Sequence, residues 1–217
     1  MNTVLIDNKL KVASFDIDCQ YTFTSECPDE LPVPNAKSIV SELNAQAYYA
    51  AWRLGSKDAH SPQAIWVANQ NYPQFTNLMG ENVDQYWNAH AVPGTKGFEL
   101  IVGLPKITEY NFFVWKGIEL DMHPYGSCYH DYAEKLSTGA IEFLLSHQIT
   151  TIIVGGLATD HCVKHTVLQL LKADFKVIVN LAACRGINLQ TTQQAIELMR
   201  QAGAQFINCA AQLQNKE

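Results

Sequence analysis

The stretch Gly155-Gly-Leu-Ala-Thr-Asp-His-Cys162-Val163 carries the strongest chemical signal in the chain. A β-branched run precedes it, a glycine-containing turn follows, and Cys162 falls in the first turn of a predicted helix. Helix N-termini carry unpaired N–H groups and a partial positive charge. Both favour a thiolate, and the same N–H groups can hold an oxyanion. The reading is a cysteine nucleophile, set against a buried structural thiol, which most free cysteines are. Three further positions can do chemistry. Asp18 leaves an apolar strand and is a candidate acid or base, or a turn former. Asp58-Ala-His60 places a carboxylate and an imidazole on one side of an extended chain, half of an N/O metal site. His90, in Trp87-Asn-Ala-His90, is a candidate third ligand. Lys116 follows Phe112-Phe-Val-Trp115 and gains meaning only beside a thiolate or an anion.

The elements that must position these residues alternate between strand-like and helix-like patterns. Strands are predicted over Lys11–Asp18, Ala51–Lys57, Asn111–Trp115, Thr150–Val154, Phe175–Asn180 and Gln205–Ile207. Helices are predicted over Asn35–Tyr48 with Asn35 as cap, and over Asp131–His147 with Ile141, Leu144 and Leu145 on one face. Two more are predicted over Asp160–Ala173 and Gln190–Ala202. The repeated β-α-β spacing implies an α/β fold, a doubly wound, mostly parallel sheet with helices on both faces. Active sites of such sheets lie at the carboxyl ends of the strands. All the candidates except His90 fall at or just beyond predicted strand ends. Gln63–Leu104 has little periodic order and, following the second strand, can cover that end.

The 217 residues fit one domain spanning 1–217, with 63–104 as an irregular insertion. A net charge of −6 argues against a nucleic-acid surface. No apolar stretch approaches a membrane span, and Met1–Lys11 has no signal-like apolar region, so a cytoplasmic location is the expectation. Six cysteines without a CxxC pair are expected as free thiols.

Taken together, these residues resemble the nicotinamidase/pyrazinamidase branch of the isochorismatase-like cysteine hydrolases, from Val12 to about Ile207. Gly156-Leu-Ala-Thr-Asp-His-Cys162-Val163 is similar to the family's nucleophile motif, and Asp18-Cys-Gln-Tyr-Thr-Phe23 to its Asp-x-Gln-x-x-Phe motif. Asp16 competes with Asp18, but the Gln and Phe spacing favours Asp18. Lys116-Gly117 resembles the catalytic lysine, and Asp58, His60 and His90 the metal ligands. The resemblance implies an isochorismatase-like, Rossmann-like three-layer fold and hydrolysis of nicotinamide, with pyrazinamide as a further substrate. Asp18 takes the proton of Cys162, Lys116 holds both charges, and the thiolate attacks the carboxamide to form a thioester. Backbone N–H groups of Ala158 and Cys162 form the oxyanion hole, with a cis Leu157–Ala158 peptide. One divalent ion, zinc foremost and manganese or iron as alternatives, orients the pyridine ring, and Phe23, Trp87 and Tyr125 enclose it. A homo-oligomer and a role in NAD salvage are compatible with the same resemblance.

The chain also departs from the pattern. Ala91 stands where many relatives have cysteine, Ser61-Pro62 replaces the commoner His-Pro, and Ala64 stands where some relatives have a further histidine ligand. Three protein ligands are therefore expected. His123, in an unusual Met122-His-Pro124, either contacts substrate or caps its loop. Competing readings are an amidohydrolase of the same superfamily acting on a carbamoyl or ureido substrate, and a cysteine served by His161 or His165. A nucleotide-binding module is the third, but GxGxxG and GxxxxGK[ST] are both absent.

Overall fold

The computed structural model describes residues 3–216; residues 1, 2 and 217, part of the expected 1–217 span and of the N-terminal reading, lie outside the described residues. Six strands form one parallel sheet: β2 (Val12–Ile17), β3 (Trp52–Asp58), β4 (Phe112–Lys116), β5 (Thr151–Leu157), β6 (Lys176–Arg185) and β7 (Gln205–Ile207). Their spatial order is β4-β3-β2-β5-β6-β7. The chain therefore winds outward from β2 to one edge, then returns beside β2 and winds to the other. Every residue of β2 and β5 is buried, Ser14 and Asp16 of β2 included, as befits central strands of a parallel sheet covered on both faces.

Helices cover both faces of the sheet. Alternate strand residues point to opposite faces. From α1 (Val40–Ala47), Gln46 Nε2 donates to Ser14 Oγ at 3.2 Å. From α2 (Ala140–Ser146), Phe143 packs edge-on against Trp52, the sheet neighbour of Ala13. Ser14 and Ala13 are consecutive, so α1 and α2 lie on opposite sides. α3 (Lys164–Lys172) and α4 (Leu189–Gln201) complete the layers. No helix or strand interrupts 63–104.

Several local expectations differ from the fold. Asn35 adopts a left-handed conformation (φ 58°) and its side chain caps nothing; a 3₁₀ turn, Ala36–Ile39, precedes α1. The helix expected from Asp131 begins only at Ala140. Asp131 instead accepts the N–H groups of Lys135 and Leu136, and Gly139 is left-handed (φ 85°), so the chain turns before it can coil. Leu145 is exposed, whereas Ile141 and Leu144 are buried. Gly155 and Gly156 do not turn the chain; they belong to β5. A Cβ on Gly156 would run into the Ile17 backbone, and one on Gly155 would lie 2.7 Å from Ala183 Cβ. They are glycines because strands approach closely there. The three-residue strands β1 (Val4–Ile6) and β8 (Leu213–Asn215) pair in parallel as a separate ribbon; the sequence reading missed them because they are too short to show a period.

Candidate active site

β2, β3 and β4 deliver Asp18, Asp58 and Lys116 to one end of the sheet. Lys116 is the last residue of β4, paired in register with Asp58, the last of β3. Asp18 follows β2 in a left-handed conformation (φ 48°). After β5 comes a cis Leu157–Ala158 peptide and then a π-helical turn, Thr159–Val163, which carries Cys162. Lys116, 0% exposed, joins the three elements. Its Nζ pairs with Asp58 Oδ1, lies 3.1 Å from Asp18 Oδ2 and 3.7 Å from Cys162 Sγ, and donates to Pro124 O at 3.1 Å. Donor atoms of Asp18, Asp58 and Cys162 lie within 4.8 Å of one another. Asp16 is not a rival: it pairs with Arg53 at 2.7 Å and accepts Tyr110 Oη, away from the cysteine.

The proton balance differs from the preformed thiolate expected at a helix start. Burial pushes the Cys162 thiol well up; Lys116 opposes this, while Asp58 and Asp18 add to it. The resting cysteine is a thiol that needs a base. Burial also raises Asp18, to about 6, against the pull of Lys116 and with the push of Asp58. A carboxyl poised there is ionised at neutral pH yet basic enough to accept a proton. Burial works against the charge of Lys116, but Asp18 and Asp58 hold it protonated well above the ordinary lysine range. His165 instead stacks on Tyr125, and burial pushes it down to about 3, so the structure offers it no part as the base.

The second half of the site is rich in imidazole. His60 Nδ1 donates to Gly117 O at 2.9 Å, and His90 Nδ1 donates to Asn88 O at 2.7 Å, so both turn bare Nε2 atoms inward. Gly117 permits the first contact: it is left-handed (φ 79°), and a Cβ there would overlap the His60 ring. Burial, then the neighbouring His60, push His90 down to about 3, so it stays neutral and able to ligate. Asp58 is held well below the usual carboxylate range by Lys116 and His60, against the cost of burial; its Oδ1 lies 3.4 Å from His60 Nε2. An imidazole pair that turns its Nε2 atoms inward beside an ionised carboxylate is the donor chemistry of a borderline divalent cation. These residues fit such an ion.

Between the two halves lies a cavity of about 20 Å³, bounded by Phe23, Trp87, Tyr125, His123 and His161 as well as Asp58, His90, Ala158 and Cys162. Trp87 Nε1 donates to Tyr125 Oη at 3.2 Å, and Tyr125 donates to Asp84 at 2.7 Å, which fixes both rings.

The isochorismatase domain model matches residues 15–211. The chain belongs to the isochorismatase family. It is 34% identical to the nicotinamidase of Escherichia coli (strain K12) over 180 residues, 80% of this chain and 84% of that one. A solved nicotinamidase/pyrazinamidase of Acinetobacter baumanii superposes with a TM-score of 0.84 at 27% identity, covering 93% of this chain and 97% of its own. The pyrazinamidase of Pyrococcus horikoshii, in complex with zinc, shares the fold at a TM-score of 0.72 and 23% identity, covering 91% and 98%.

The structure brings together Asp18, Lys116 and Cys162; Asp58, His60 and His90; Ala158; and Phe23, Trp87 and Tyr125. It adds others that the sequence did not assign. Ser127 Oγ donates to Ser56 Oγ at 3.0 Å, and Ser56 Oγ donates to Asp18 Oδ1 at 2.6 Å, a hydroxyl chain that orients the carboxylate. Gln20 grips the Asp58 backbone twice, donating Nε2 to its carbonyl and accepting its N–H. That grip accounts for a glutamine two residues after Asp18. Glu30 accepts both Thr22 Oγ1 at 2.5 Å and the Ala91 N–H at 2.9 Å, pinning the loop that carries His90.

Proposed function

We propose that the protein is an amidohydrolase that converts nicotinamide to nicotinate and ammonia, with pyrazinamide as a second substrate. The observation that carries the reading is Lys116 Nζ, buried within 3.7 Å of Cys162 Sγ and 3.1 Å of Asp18, behind a cavity that Cys162 and Asp58 line together with His90 and His123. The nicotinamidase relative at 34% identity supports the choice of substrate.

In this mechanism Asp18 accepts the thiol proton of Cys162, and Lys116 steadies the thiolate as it forms. The sulfur attacks the carboxamide carbon, and the N–H groups of Ala158 and Cys162 receive the oxyanion. Asp18 returns its proton to the leaving nitrogen, ammonia departs, and a thioester remains. Asp18 then takes a proton from water, whose oxygen attacks the thioester carbon; sulfur leaves, regains the proton, and nicotinate is released. Asp58, His60 and His90 would hold one divalent ion, zinc in the first instance, which would supply a Lewis-acidic template to orient the pyridine ring. Phe23, Trp87 and Tyr125 bound the ring and exclude water. The negative net charge accords with a small-molecule substrate rather than a nucleic acid; among the described residues no helix is long and apolar enough to cross a membrane, and the location proposed is the cytoplasm.

The test is ammonia release from nicotinamide by the purified protein and by Cys162→Ala, each with and without a chelator. Release that requires both Cys162 and a metal is expected. No release from nicotinamide or pyrazinamide by the metal-loaded protein, with release from a carbamoyl or ureido compound, overturns the substrate assignment.

A further inference from the structure

His123 is a buried titratable group at the site that the mechanism leaves unused. It is 4% exposed, and neither ring nitrogen has a hydrogen-bond partner. A buried polar group without a partner costs free energy, so an imidazole left this way needs a reason. Its backbone, by contrast, is held on every side. The His123 N–H donates to Asn82 O at 2.8 Å, and its carbonyl accepts Tyr132 Oη at 3.1 Å. Before it, Met122 O accepts Trp66 Nε1 at 2.9 Å; after it, Pro124 O accepts Lys116 Nζ at 3.1 Å. Four hydrogen bonds fix a segment whose central ring bonds to nothing.

The ring faces the other two imidazoles. Its centroid is 4.9 Å from that of His60 and 5.7 Å from that of His90. Ligating nitrogens of all three lie within 4.8 Å of one another. His60 and His90 have spent their Nδ1 protons on backbone carbonyls, and His60 Nε2 has no hydrogen-bond partner. Three imidazoles that turn bare nitrogens toward one point are what a cation, rather than a hydrogen-bonded substrate, requires.

We propose that His123 is a protein ligand of the divalent ion, a third imidazole beside His60 and His90, with the Asp58 carboxylate as oxygen donor. The proposal rests on the metal reading above and extends its ligand set from three residues to four. Three nitrogen donors suit zinc, cobalt or nickel and disfavour magnesium and calcium, which seek oxygen. The Met122-His-Pro124 loop thus acts as part of the metal cradle, and not only as a wall of the substrate cavity.

The test uses the full-length protein stripped of metal, titrated with zinc against a chromophoric chelator, and in parallel with cobalt, whose visible absorption reports its ligands. Wild type is expected to bind one equivalent. His123→Ala is expected to weaken zinc by about 100-fold or more, beyond the ~10–100-fold that loss of a group merely supporting a ligand gives, and to shift the cobalt bands. In case that variant does not fold, wild type labelled with ¹⁵N at its seven histidines is examined by NMR; one equivalent of zinc is expected to move three imidazoles to metal-bound shifts. Zinc affinity within threefold of wild type, unchanged cobalt bands, or only two shifted imidazoles overturns the role of His123 while leaving the metal site standing. Failure of wild type to bind zinc or cobalt at all overturns the metal reading itself, and this inference with it.

Discussion

Asp18→Asn is expected to end turnover and yet make the folded protein more stable at neutral pH. Burial outweighs Lys116 at this carboxyl and raises it from 3.8 to about 6. Between those two values the unfolded chain has released the proton while the folded one retains it, so stability declines as pH rises through that window. Above about pH 6 both states are ionised and the penalty is constant. At about 1.36 kcal/mol per unit of pKa difference, it reaches about 3 kcal/mol. Asparagine cannot ionise and escapes it. It also keeps an oxygen for the Ser56 hydroxyl, 2.6 Å away, and leaves Asp58 as an anion for Lys116. The same arithmetic makes the variant's advantage grow from pH 5 to pH 8, by an amount on the order of 1 kcal/mol. Urea unfolding of both metal-free proteins at the two pH values measures this growth, and comparing the two differences removes any fixed effect of the new side chain. An advantage that is flat or shrinks with pH refutes the claim that a strained, ionised Asp18 is what the fold holds in readiness. Turnover by the variant within tenfold of wild type refutes its role as base.

Other outcomes follow from the same cluster. The kcat/KM for nicotinamide is expected to fall about tenfold per pH unit below about 6, as Asp18 is protonated; initial rates from pH 4.5 to 8 check this, and a flat profile down to pH 5 contradicts it. Lys116→Met leaves two buried carboxylates facing each other without their cation. It is expected to cost about 3–5 kcal/mol in urea unfolding at pH 7.5, and a loss under about 1 kcal/mol would show that Lys116 does not hold the cluster together. Gly117→Ala forces a Cβ into the His60 ring at a left-handed position. Zinc affinity is expected to drop at least tenfold, read by chelator competition, with a loss of about 1 kcal/mol or more of stability.

The elements legible in the sequence are those whose environment matches a simple period. β5, buried on both faces, announces itself by its β-branched run, and β2 by Ala13, Phe15 and Ile17 at every second residue. The segment after Cys128 does not, because its conformation is decided by single polar atoms. One Asp131 oxygen takes two backbone N–H groups and converts an apparent helical start into a turn. The glycine pair misled for a related reason. Glycine marks both a turn and a close approach, and only the neighbouring Ile17 backbone and Ala183 side chain settle which.

In the site, Asp18, Asp58, Lys116 and Cys162 could be picked out because each sits at a strand end, where the order of elements alone implies convergence. His123, Ser56, Ser127 and Glu30 act through contacts between segments distant in sequence. Ser56 meets Ser127 across 71 residues, and Glu30 meets Ala91 across 61. No local pattern encodes such meetings. His123 carried a trace, being an odd residue in a loop that follows Lys116, but its meaning depends on two other imidazoles held by Gly117 and Asn88.

The sheet order explains why the joining residue is a lysine on the outer strand. Along the sheet the sequence Asp18, Asp58, Lys116, Cys162 becomes Lys116, Asp58, Asp18, Cys162, because β4, β3, β2 and β5 lie side by side in that order. Neighbouring strands are about 4.8 Å apart. Asp58 is one strand from Lys116 and Asp18 is two, beyond what a short side chain on β4 can reach. The four-carbon stem of lysine runs over the end of β3 and delivers one charge to both carboxylates, while the π-helical turn after β5 brings Cys162 Sγ back to within 3.7 Å of the same nitrogen. Lys116 pairs with Asp58, its neighbour in register, and reaches past it to Asp18. Placed on β4, it ties the carboxylate beside the imidazoles to the carboxylate beside the nucleophile, so that the two halves of the site are held in one register.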